Sequence, residues 1–363
     1  MPVADYFSPD YASARVQFRS HAQRASASLH TYELPGRRGP RDDVLAIDVA
    51  QLGAATPDRA LVVVSGTHGV EGFAGSGCQV GFLADRLHEA LPASACALLV
   101  HALNPYGFAW LRRVNEDGVD LNRNFVDFSR PRPSSTAYEP LHDSLVPIDW
   151  QGDGRRQADA ALQAMMTREG LRRFQEALTV GQYTRPTGLF YGGTARTWSA
   201  RTLADILAQQ LPAAIRRVAV LDLHTGLGPP AYGEPILIAH GTAERERARR
   251  WYGPEVRDLA ADESVSAQVV GSVGDGVAAA LKDRDVTYLG LEFGTRPMLE
   301  VLTALRADHW LHAHGAAAEP SLRASIQQQM RAAFYIESPA WQAAVYGRVA
   351  DFVFRACRGL AEA

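Results

Sequence analysis

The sequence predicts an α/β fold, a sandwich of helices around a mixed and mostly parallel β-sheet. Four short apolar runs rich in Val, Ile and Leu show no polar alternation, as expected for strands covered on both faces. Amphipathic helical stretches separate or flank these runs, and strands that alternate with helices favour a parallel sheet. The strand-like runs are 60–65, 97–100, 218–223 and 286–291, and the helical stretches lie near 79–90, 155–178, 200–211, 243–261 and 276–284.

The chain begins with elements of a different kind. Ser8 and Asp10 can each cap a first helix. Two strand-like runs follow at 29–34 and 44–52, and the Pro- and Gly-rich stretch 35–40 between them predicts the turn of a hairpin. A hairpin places antiparallel strands at one edge of the sheet, which makes the sheet mixed.

The remaining segments bear on domain organisation. The stretch 130–147 is rich in Pro and Ser and predicts a long surface loop. After Thr295 the pattern is largely helical to the end of the sequence. No internal repeat or low-complexity linker divides the chain. We therefore expect one domain over residues 1–363, with its core at about 28–315 and a helical C-terminal tail.

Composition and charge narrow the range of partners. Of the 363 residues 47% are hydrophobic and 21% charged, and 37 basic against 40 acidic residues give a net charge of -3. So small a net charge provides no field for nucleic acid or for an anionic membrane. The three cysteines are too few and too scattered for a disulfide framework or a cysteine zinc site. With no recognisable signal peptide and no apolar run of membrane-spanning length, we expect a cytoplasmic protein.

The first segment with candidate chemistry directly follows the strand-like run 60–65. His68 and Glu71 offer an imidazole and a carboxylate, and both groups are good zinc ligands. The carboxyl ends of strands are also where open α/β sheets bind ligands. The alternative is a glycine loop for a nucleotide, although neither established phosphate-loop pattern is present. On this segment alone both interpretations stand; the glycines concerned are those at 66, 69, 72, 75 and 77.

A third ligand candidate, His224, leaves the apolar run 218–223 and enters a Gly-containing turn. Two ligands close in sequence and a distant third, with a fourth position open, is the arrangement of a catalytic zinc. A histidine that is only hydrogen-bonded at a strand end would give the same local pattern. A histidine–glutamate site would also accept cobalt or manganese.

A catalytic zinc of this kind needs a base for the water it activates. Glu292 lies within the apolar run 289–295, where a carboxylate is expensive to bury without a partner. We therefore predict a functional role for it. Glu300, eight residues later in a predicted helix, is expected to be a solvated surface residue.

The most specific segment reads Asn-Pro-Tyr-Gly at 104–107, Arg-Arg at 112–113 and Gly-Val-Asp-Leu-Asn-Arg-Asn-Phe at 118–125. These residues resemble the zinc carboxypeptidase (M14-like) superfamily, and His68, Glu71, His224 and Glu292 fall in that family's order. More narrowly, the chain is similar to an uncharacterised bacterial branch (DUF2817-type) near the aspartoacylase and succinylglutamate desuccinylase enzymes. The likeness covers roughly residues 61–296. It implies a three-layer α/β/α sandwich with a mixed, mostly parallel twisted sheet.

The resemblance also implies roles for the site residues. One zinc ion per chain would be held by His68, Glu71 and His224, and Glu292 would activate water and then protonate the leaving amine. Asn122 and Arg123 would bind the free carboxylate of the substrate, for which the planar guanidinium is suited. Asp120 would orient His68, since metal-bound histidines usually donate their second nitrogen to a partner.

Three assignments stay open. Arg113 is expected to stabilise the oxyanion, with Arg112 as the alternative and as a further candidate for substrate binding. The alternative for the pair is a solvated loop with salt bridges. A mobile tyrosine of the family has no fixed counterpart, and Tyr232 and Tyr252 are candidates by location alone. The stretch 187–194 either lines the cleft or forms a turn.

Three functions follow from these residues. The favoured one is a zinc-dependent, carboxypeptidase-like hydrolase that cleaves an amide bond adjacent to a free carboxylate of a small peptide. The first alternative is a deacylase of N-acyl amino acids, and the complete stretch at 120–125 favours the carboxypeptidase-like hypothesis over it. The second alternative is a non-catalytic protein that binds a nucleotide or another anion at the Gly-rich turn.

Overall fold

A computed structural model describes residues 2–133, 136–261 and 264–362. Within these ranges the chain forms eight strands and twelve α-helices. The strands are β1 (Ser28–Arg38), β2 (Val44–Gly53), β3 (Arg59–Ser65), β4 (Ala95–His101), β5 (Arg217–Pro230), β6 (Glu234–Leu237), β7 (Arg257–Asp258) and β8 (Asp285–Gly294). The helices are α1 (Tyr11–Arg24), α2 (Gly72–Ala84), α3 (Pro105–Ala109), α4 (His142–Leu145), α5 (Asp153–Glu169), α6 (Leu171–Thr179), α7 (Trp198–Gln210), α8 (Thr242–Tyr252), α9 (Val273–Ala280), α10 (Met298–Ala313), α11 (Pro320–Phe334) and α12 (Pro339–Ala361).

The strands form one mixed sheet in the order β1-β2-β4-β3-β5-β8-β6-β7. The four central strands β4, β3, β5 and β8 are parallel to one another. At one edge β2 is antiparallel to both β1 and β4, and at the other β6 is antiparallel to β8. All four predicted apolar runs are central strands, and the predicted mixed, mostly parallel sheet is confirmed.

Helices cover both faces of the sheet. Val62 and Val64 of β3 belong to one buried apolar cluster, together with residues of α7 and α9. Leu61 and Val63 point to the other face and join a larger cluster with α1, α2, α10 and α12. Alternate residues of a strand face opposite sides, so a strand buried on both faces is apolar throughout. The three-layer α/β/α architecture is therefore confirmed, and the C-terminal helix α12 is part of its core.

Near the N-terminus one predicted turn is misplaced, and only one of the two predicted helix caps is used. The hairpin turn lies after residue 38, because β1 continues through residues 35–38 of the predicted turn, with a bulge between Glu33 and Arg38. Asp10 caps α1 by accepting a hydrogen bond from the Ser13 amide at 2.8 Å, whereas Ser8 bonds to Gln17.

The stretch 130–147 is not simply a surface loop. It contains α4, and Tyr138, Leu141 and Leu145 are buried within it. Residues 134 and 135 of the predicted loop lie outside the described residues.

The Gly-rich stretch after β3 is largely helical rather than a loop. The helix predicted at 79–90 begins at Gly72 instead, and its glycines permit close packing. A Cβ on Gly75 would lie 2.7 Å from the Cβ of Ser65, and one on Gly77 would lie 2.3 Å from the Phe7 ring. These glycines therefore have a packing role. Because they lie in a helix, they do not form the nucleotide-binding loop of the alternative interpretation.

Other helices also differ from prediction. The predicted helix 155–178 is divided into α5 and α6 at Gly170, whose φ of +87° favours glycine. The predicted helix 243–261 ends at Tyr252 and is followed by the two-residue strand β7. No helix in the described part of the chain is long and apolar enough to cross a bilayer.

Candidate metal centre and cleft

The turn that carries His68 and Glu71 follows the carboxyl end of β3. Gly66 starts it with a φ of +63°, and a short 3-10 helix spans Gly69–Glu71. A Cβ on Gly69 would lie 2.1 Å from the carbonyl carbon of Gly107, so only glycine allows this approach. His68 and Glu71 are consequently on one tight turn, with Nδ1 of His68 2.8 Å from Oε1 of Glu71.

His224 meets this pair from the neighbouring strand β5. Its Nδ1 lies 3.1 Å from Oε2 of Glu71 and 3.3 Å from Nδ1 of His68. All three residues are buried, and one ligand atom from each lies within 4.8 Å of the others. The structure thus brings His224 to His68 and Glu71, although it lies more than 150 positions after them in the sequence.

Carboxylates stand behind both histidines. Nε2 of His224 lies 2.9 Å from Oδ2 of Asp222, and Nε2 of His68 lies 3.1 Å from Oδ1 of Asp120. For neutral imidazoles, a proton on each Nε2 that is donated to its carboxylate would leave each Nδ1 with a lone pair beside Glu71. Acceptors that converge in this way can share one cation.

The spacing of these atoms suits zinc. Ligands that hold zinc tetrahedrally at about 2.1 Å are about 3.4 Å apart. The Nδ1 atoms of His68 and His224 are 3.3 Å apart, and each is close to an oxygen of Glu71. The donor set of two imidazole nitrogens and a carboxylate therefore fits zinc in both chemistry and size.

The pKa values show how the charges are balanced without a metal. Burial alone would lower the pKa of His224, but the carboxylates of Asp222 and Glu71 outweigh it and raise the pKa well above its ordinary range. Burial alone would raise the pKa of Glu71, but the two histidines lower it to about 2. The raised pKa of His224 thus keeps a positive charge between the carboxylates of Asp222 and Glu71.

Glu292 lies at the carboxyl end of β8, in register with His224 on β5. Its Oε1 accepts a hydrogen bond of 2.9 Å from the Leu227 amide. Burial and the negative charge of Glu71 raise the pKa of Glu292 to about 7. A carboxyl with this pKa holds and releases a proton near neutral pH, as a general base and acid must. Glu300 is exposed on α10, as expected.

Arg113 reaches the metal centre, and Arg112 does not. Arg113 donates to Oε1 of Glu71 at 3.0 Å and to Oδ2 of Asp120 at 3.2 Å, and its Nη2 lies 2.8 Å from Nε2 of His68. Arg112 is buried on the opposite side, where its Nε pairs with both carboxylate oxygens of Asp308 on α10 at 3.1 and 3.3 Å. The structure therefore does not support Arg112 as a substrate-binding residue. Its guanidinium is held by a buried partner outside the cleft.

Asn122 and Arg123 line the same cleft as Arg113. Oδ1 of Asn122 accepts from the Val273 amide at 2.9 Å, so the NH2 end of this side chain is the donor available to a ligand. Arg123 donates to the carbonyl of Thr179 from Nε at 2.9 Å. Burial lowers the pKa of Arg123 to about 10, which leaves the guanidinium charged at neutral pH.

The cleft extends well beyond the metal centre and has a volume of about 1060 Å³, open mouth included. Of the described residues that line it, those with a guanidinium, imidazole or carboxyl group cluster at one end: His68, Arg113, Arg123, His224 and Glu292. The rest of the wall is largely apolar and includes Phe174, Leu178, Ile236, Ile238, Val301, Leu302 and Leu305.

Neither tyrosine candidate lines this cleft. Tyr252 is fully buried in α8 and stacks on Phe352, with ring centroids 5.5 Å apart. Tyr232 is 42% exposed in the connection between β5 and β6. Tyr288, which the sequence analysis did not single out, does line the cleft, and its hydroxyl donates to Oδ2 of Asp222 at 2.8 Å.

Sequence reasoning also missed Asp222. The signal was present, because Asp222 is an acid in an otherwise apolar strand and lies two residues before His224, on the same face. Phe190 is the residue of the stretch 187–194 that lines the cleft.

Comparison with known proteins gives a family and remote structural likenesses. A family model described as "Protein of unknown function (DUF2817)" matches residues 7–348. No curated protein matches the chain. Among solved structures, the chain is similar to bovine thrombin-activatable fibrinolysis inhibitor in complex with tick carboxypeptidase inhibitor, at 12% identity and a TM-score of 0.45, over 90% of this chain and 96% of that one.

Two further likenesses are to bacterial enzymes. One is murein-tripeptide amidase MpaA from Escherichia coli O157, at 16% identity and a TM-score of 0.35, over 78% of this chain and 92% of that one. The other is succinylglutamate desuccinylase from Chromobacterium violaceum, at 16% identity and a TM-score of 0.36, over 86% and 72%. Likenesses of this degree identify no activity for this chain, so the function must be argued from the site itself.

Proposed function

The chain belongs to the DUF2817 family, and we propose that it is a zinc-dependent hydrolase that cleaves an amide bond next to a free carboxylate. One observation carries the proposal. His68, Glu71 and His224 converge, and the second ring nitrogen of each histidine lies against a carboxylate. Beside them is Glu292, whose pKa is raised to about 7. Two arginines line the same cleft.

His68, Glu71 and His224 would hold the metal, with Asp120 and Asp222 fixing the orientation of the two imidazoles. A bound zinc ion would polarise the scissile carbonyl and lower the pKa of the attacking water. Glu292 would take the proton of that water and return it to the leaving amine. Since Leu227 N–H binds Oε1 of Glu292, Oε2 is the atom left to carry the proton.

The cationic side chains would bind the substrate at two points. Arg123 and the NH2 group of Asn122 would hold the free carboxylate, which a planar guanidinium can bind through two hydrogen bonds. Arg113, the arginine nearer the metal ligands, would stabilise the charge that develops on the scissile carbonyl oxygen. Asp120 faces both arginines and His68, and their charges keep its pKa well below its usual range despite burial.

The apolar wall of the cleft favours one substrate class over another. An N-acyl amino acid with an acidic acyl group, such as a succinyl group, needs a cation for its second carboxylate. The described wall beyond Arg113 and Arg123 offers apolar side chains instead. Desolvating an unpaired carboxylate against them is costly. We therefore favour, as substrates, small peptides or N-acyl amino acids that have one carboxylate and apolar substituents. We expect peptides to be better substrates than N-acyl amino acids with an acidic acyl group.

The first experiment measures metal content by elemental analysis in the wild type, in His224→Ala and in His30→Ala. His30 lies on the edge strand β1 with an exposed hydrogen bond to Ser28, so His30→Ala is a matched control. We expect about one zinc per chain in the wild type and in His30→Ala, and none in His224→Ala. Failure of the wild type to bind zinc, even with the metal in excess, would rule out the hydrolase.

The second experiment tests the substrate. The zinc-loaded protein is assayed with N-blocked dipeptides, the same dipeptides as C-terminal amides, and N-acyl amino acids with neutral or acidic acyl groups. We expect the dipeptides with a free carboxylate to be cleaved fastest. Preference for the acidic acyl groups would instead identify a deacylase of the first alternative kind. Binding of a nucleotide by metal-free protein, with no hydrolysis of any substrate, would support the non-catalytic alternative.

A further inference from the structure

Phe190 lies between the two arginines of the cleft. The guanidinium carbon of Arg113 and that of Arg123 are each 5.5 Å from the centroid of its ring. All three side chains line the cleft, and Phe190 is only 7% exposed. Guanidinium groups at this distance are attracted by the negative face of an aromatic ring.

The backbone at Phe190 is held in an unfavourable conformation. Its φ is +55°, in the left-handed region that bulky residues rarely adopt. The neighbouring hydrogen bonds impose it: the Phe190 carbonyl accepts from the Gln182 amide at 3.1 Å, and the Tyr191 carbonyl accepts from the Asp120 amide at 2.8 Å. Glycine would relieve the strain at this position, so the aromatic side chain is kept at a cost. Such strain concentrates where a side chain must be aimed at a functional site.

An aromatic ring is well suited to a position beside Arg113 and Arg123, because both guanidinium groups are proposed to contact the substrate. A carboxylate in this position would form ion pairs with the arginines and neutralise them, whereas a purely aliphatic side chain would do nothing against their repulsion. Arg113 already donates to Glu71 and Asp120, and Arg123 to the carbonyls of Thr179 and Asn122. The ring adds a cation–π contact to each guanidinium without taking up a further N–H donor.

We infer that Phe190 is a positioning residue that fixes the separation of Arg113 and Arg123, and thereby the selectivity for substrates with a carboxylate next to the scissile amide. The inference rests on the proposed function. It concerns the spacing between Arg113 and Arg123, to which Phe190 contributes in addition to the ion pairs of Arg113 with Glu71 and Asp120.

The test compares wild type with Phe190→Leu and Phe190→Tyr. Leucine keeps an apolar side chain under the same backbone strain but has no ring, and tyrosine keeps the ring. For each protein, kcat and KM are measured on an N-blocked dipeptide and on its C-terminal amide. Zinc content and melting temperature report separately on the metal centre and on folding, and Phe190→Met is a second ring-free variant should Phe190→Leu fail to fold.

We expect the preference for the free carboxylate over the amide to fall by about threefold to thirtyfold in Phe190→Leu, the range that loss of cation–π contacts predicts. KM for the carboxylate substrate should rise through Arg123 and kcat should fall through Arg113, with zinc content unchanged. Phe190→Tyr should restore most of the preference. Calorimetry on the zinc-loaded proteins should show the same fall in the affinity ratio of phenylacetate to phenylacetamide.

Two contrary results have different meanings. A wild type that prefers the carboxylate, with an equal preference in the ring-free variants, would overturn the role of Phe190 and leave the proposed function intact. A wild type without any preference for the carboxylate would overturn the proposed carboxylate recognition, and the role of Phe190 would fall with it.

Discussion

Asp222 offers a direct test of the proposal that His224 binds a metal. Its carboxylate is buried and accepts three hydrogen bonds: from Nε2 of His224 at 2.9 Å, from the Tyr288 hydroxyl at 2.8 Å and from the Thr67 hydroxyl at 2.9 Å. In Asp222→Asn the amide oxygen can still accept from His224 and Tyr288, and the new NH2 group can donate to the Thr67 hydroxyl. The substitution therefore removes the charge while conserving the hydrogen bonds.

The magnitude follows from this difference. Loss of a carboxylate behind a metal-bound histidine typically lowers metal affinity by about ten- to a hundredfold. Because Asp222→Asn keeps the hydrogen bonds, we expect the lower end, about tenfold or ~1.4 kcal/mol. Asp222→Ala also removes the acceptor for His224, so we expect about a hundredfold loss.

The assay is competition for zinc with a chromophoric chelator, at fixed pH, in both variants and in Asp308→Asn. Asp308, like Asp222, is a buried aspartate, but its partner is Arg112 and it lies outside the site. Asp308→Asn should therefore bind zinc as the wild type does. Wild-type zinc affinity in Asp222→Ala would refute the argument. So would an equal loss of affinity in the Asp308→Asn control.

Three further predictions concern the rest of the site. Glu292→Gln should lower kcat by about 10²–10⁴-fold at unchanged zinc content. Because the pKa of Glu292 is raised from 4.5 to about 7 in the folded protein, the metal-free wild type should lose about 2–3 kcal/mol of stability relative to Glu292→Gln between about pH 4.5 and pH 7, as measured by urea unfolding. Arg113→Lys should lower kcat by about a hundredfold, whereas Arg112→Lys should reduce only the melting temperature, and equal kinetic effects would contradict the assignment. Gly75→Ala should cost about 1–3 kcal/mol in unfolding experiments because its Cβ meets Ser65 at 2.7 Å, while a wild-type stability would contradict the packing role of that glycine.

The central strands and the metal ligands were predictable because their signals are local. A strand covered on both faces must be apolar throughout, and a histidine or glutamate at its carboxyl end stands out against that background. His68 follows the end of β3 and Glu292 lies two residues before the end of β8. His224 lies within β5, which continues to Pro230 where the sequence predicted a turn. The strands β6 and β7, with four and two residues, are too short to give a pattern.

The choice between Arg112 and Arg113 depended on backbone geometry that composition does not record. The residue before them, Leu111, has a φ of +58°, and the chain direction after it decides which guanidinium enters the cleft. The partner that holds Arg112, Asp308, lies 196 positions away in the sequence. The position of α2 was missed for a similar reason, because glycines that serve close packing have the same composition as glycines of a loop.

The backbone hydrogen bonds around the ligand turn have a consequence for the motions of the site. The amides of Gly69 and Val70 donate to the carbonyls of Arg113 and Arg112 at 3.1 and 2.9 Å. The turn at 68–71 and the segment 112–113 therefore form one hydrogen-bonded unit. These two amides should exchange their hydrogens slowly, at rates close to those of the central strands. Any rearrangement of Arg113 on substrate binding would then be a rotation of its side chain, with breakage of its ion pairs, rather than closure of a loop. We therefore do not expect opening of the segment 112–113 to limit the rate of turnover.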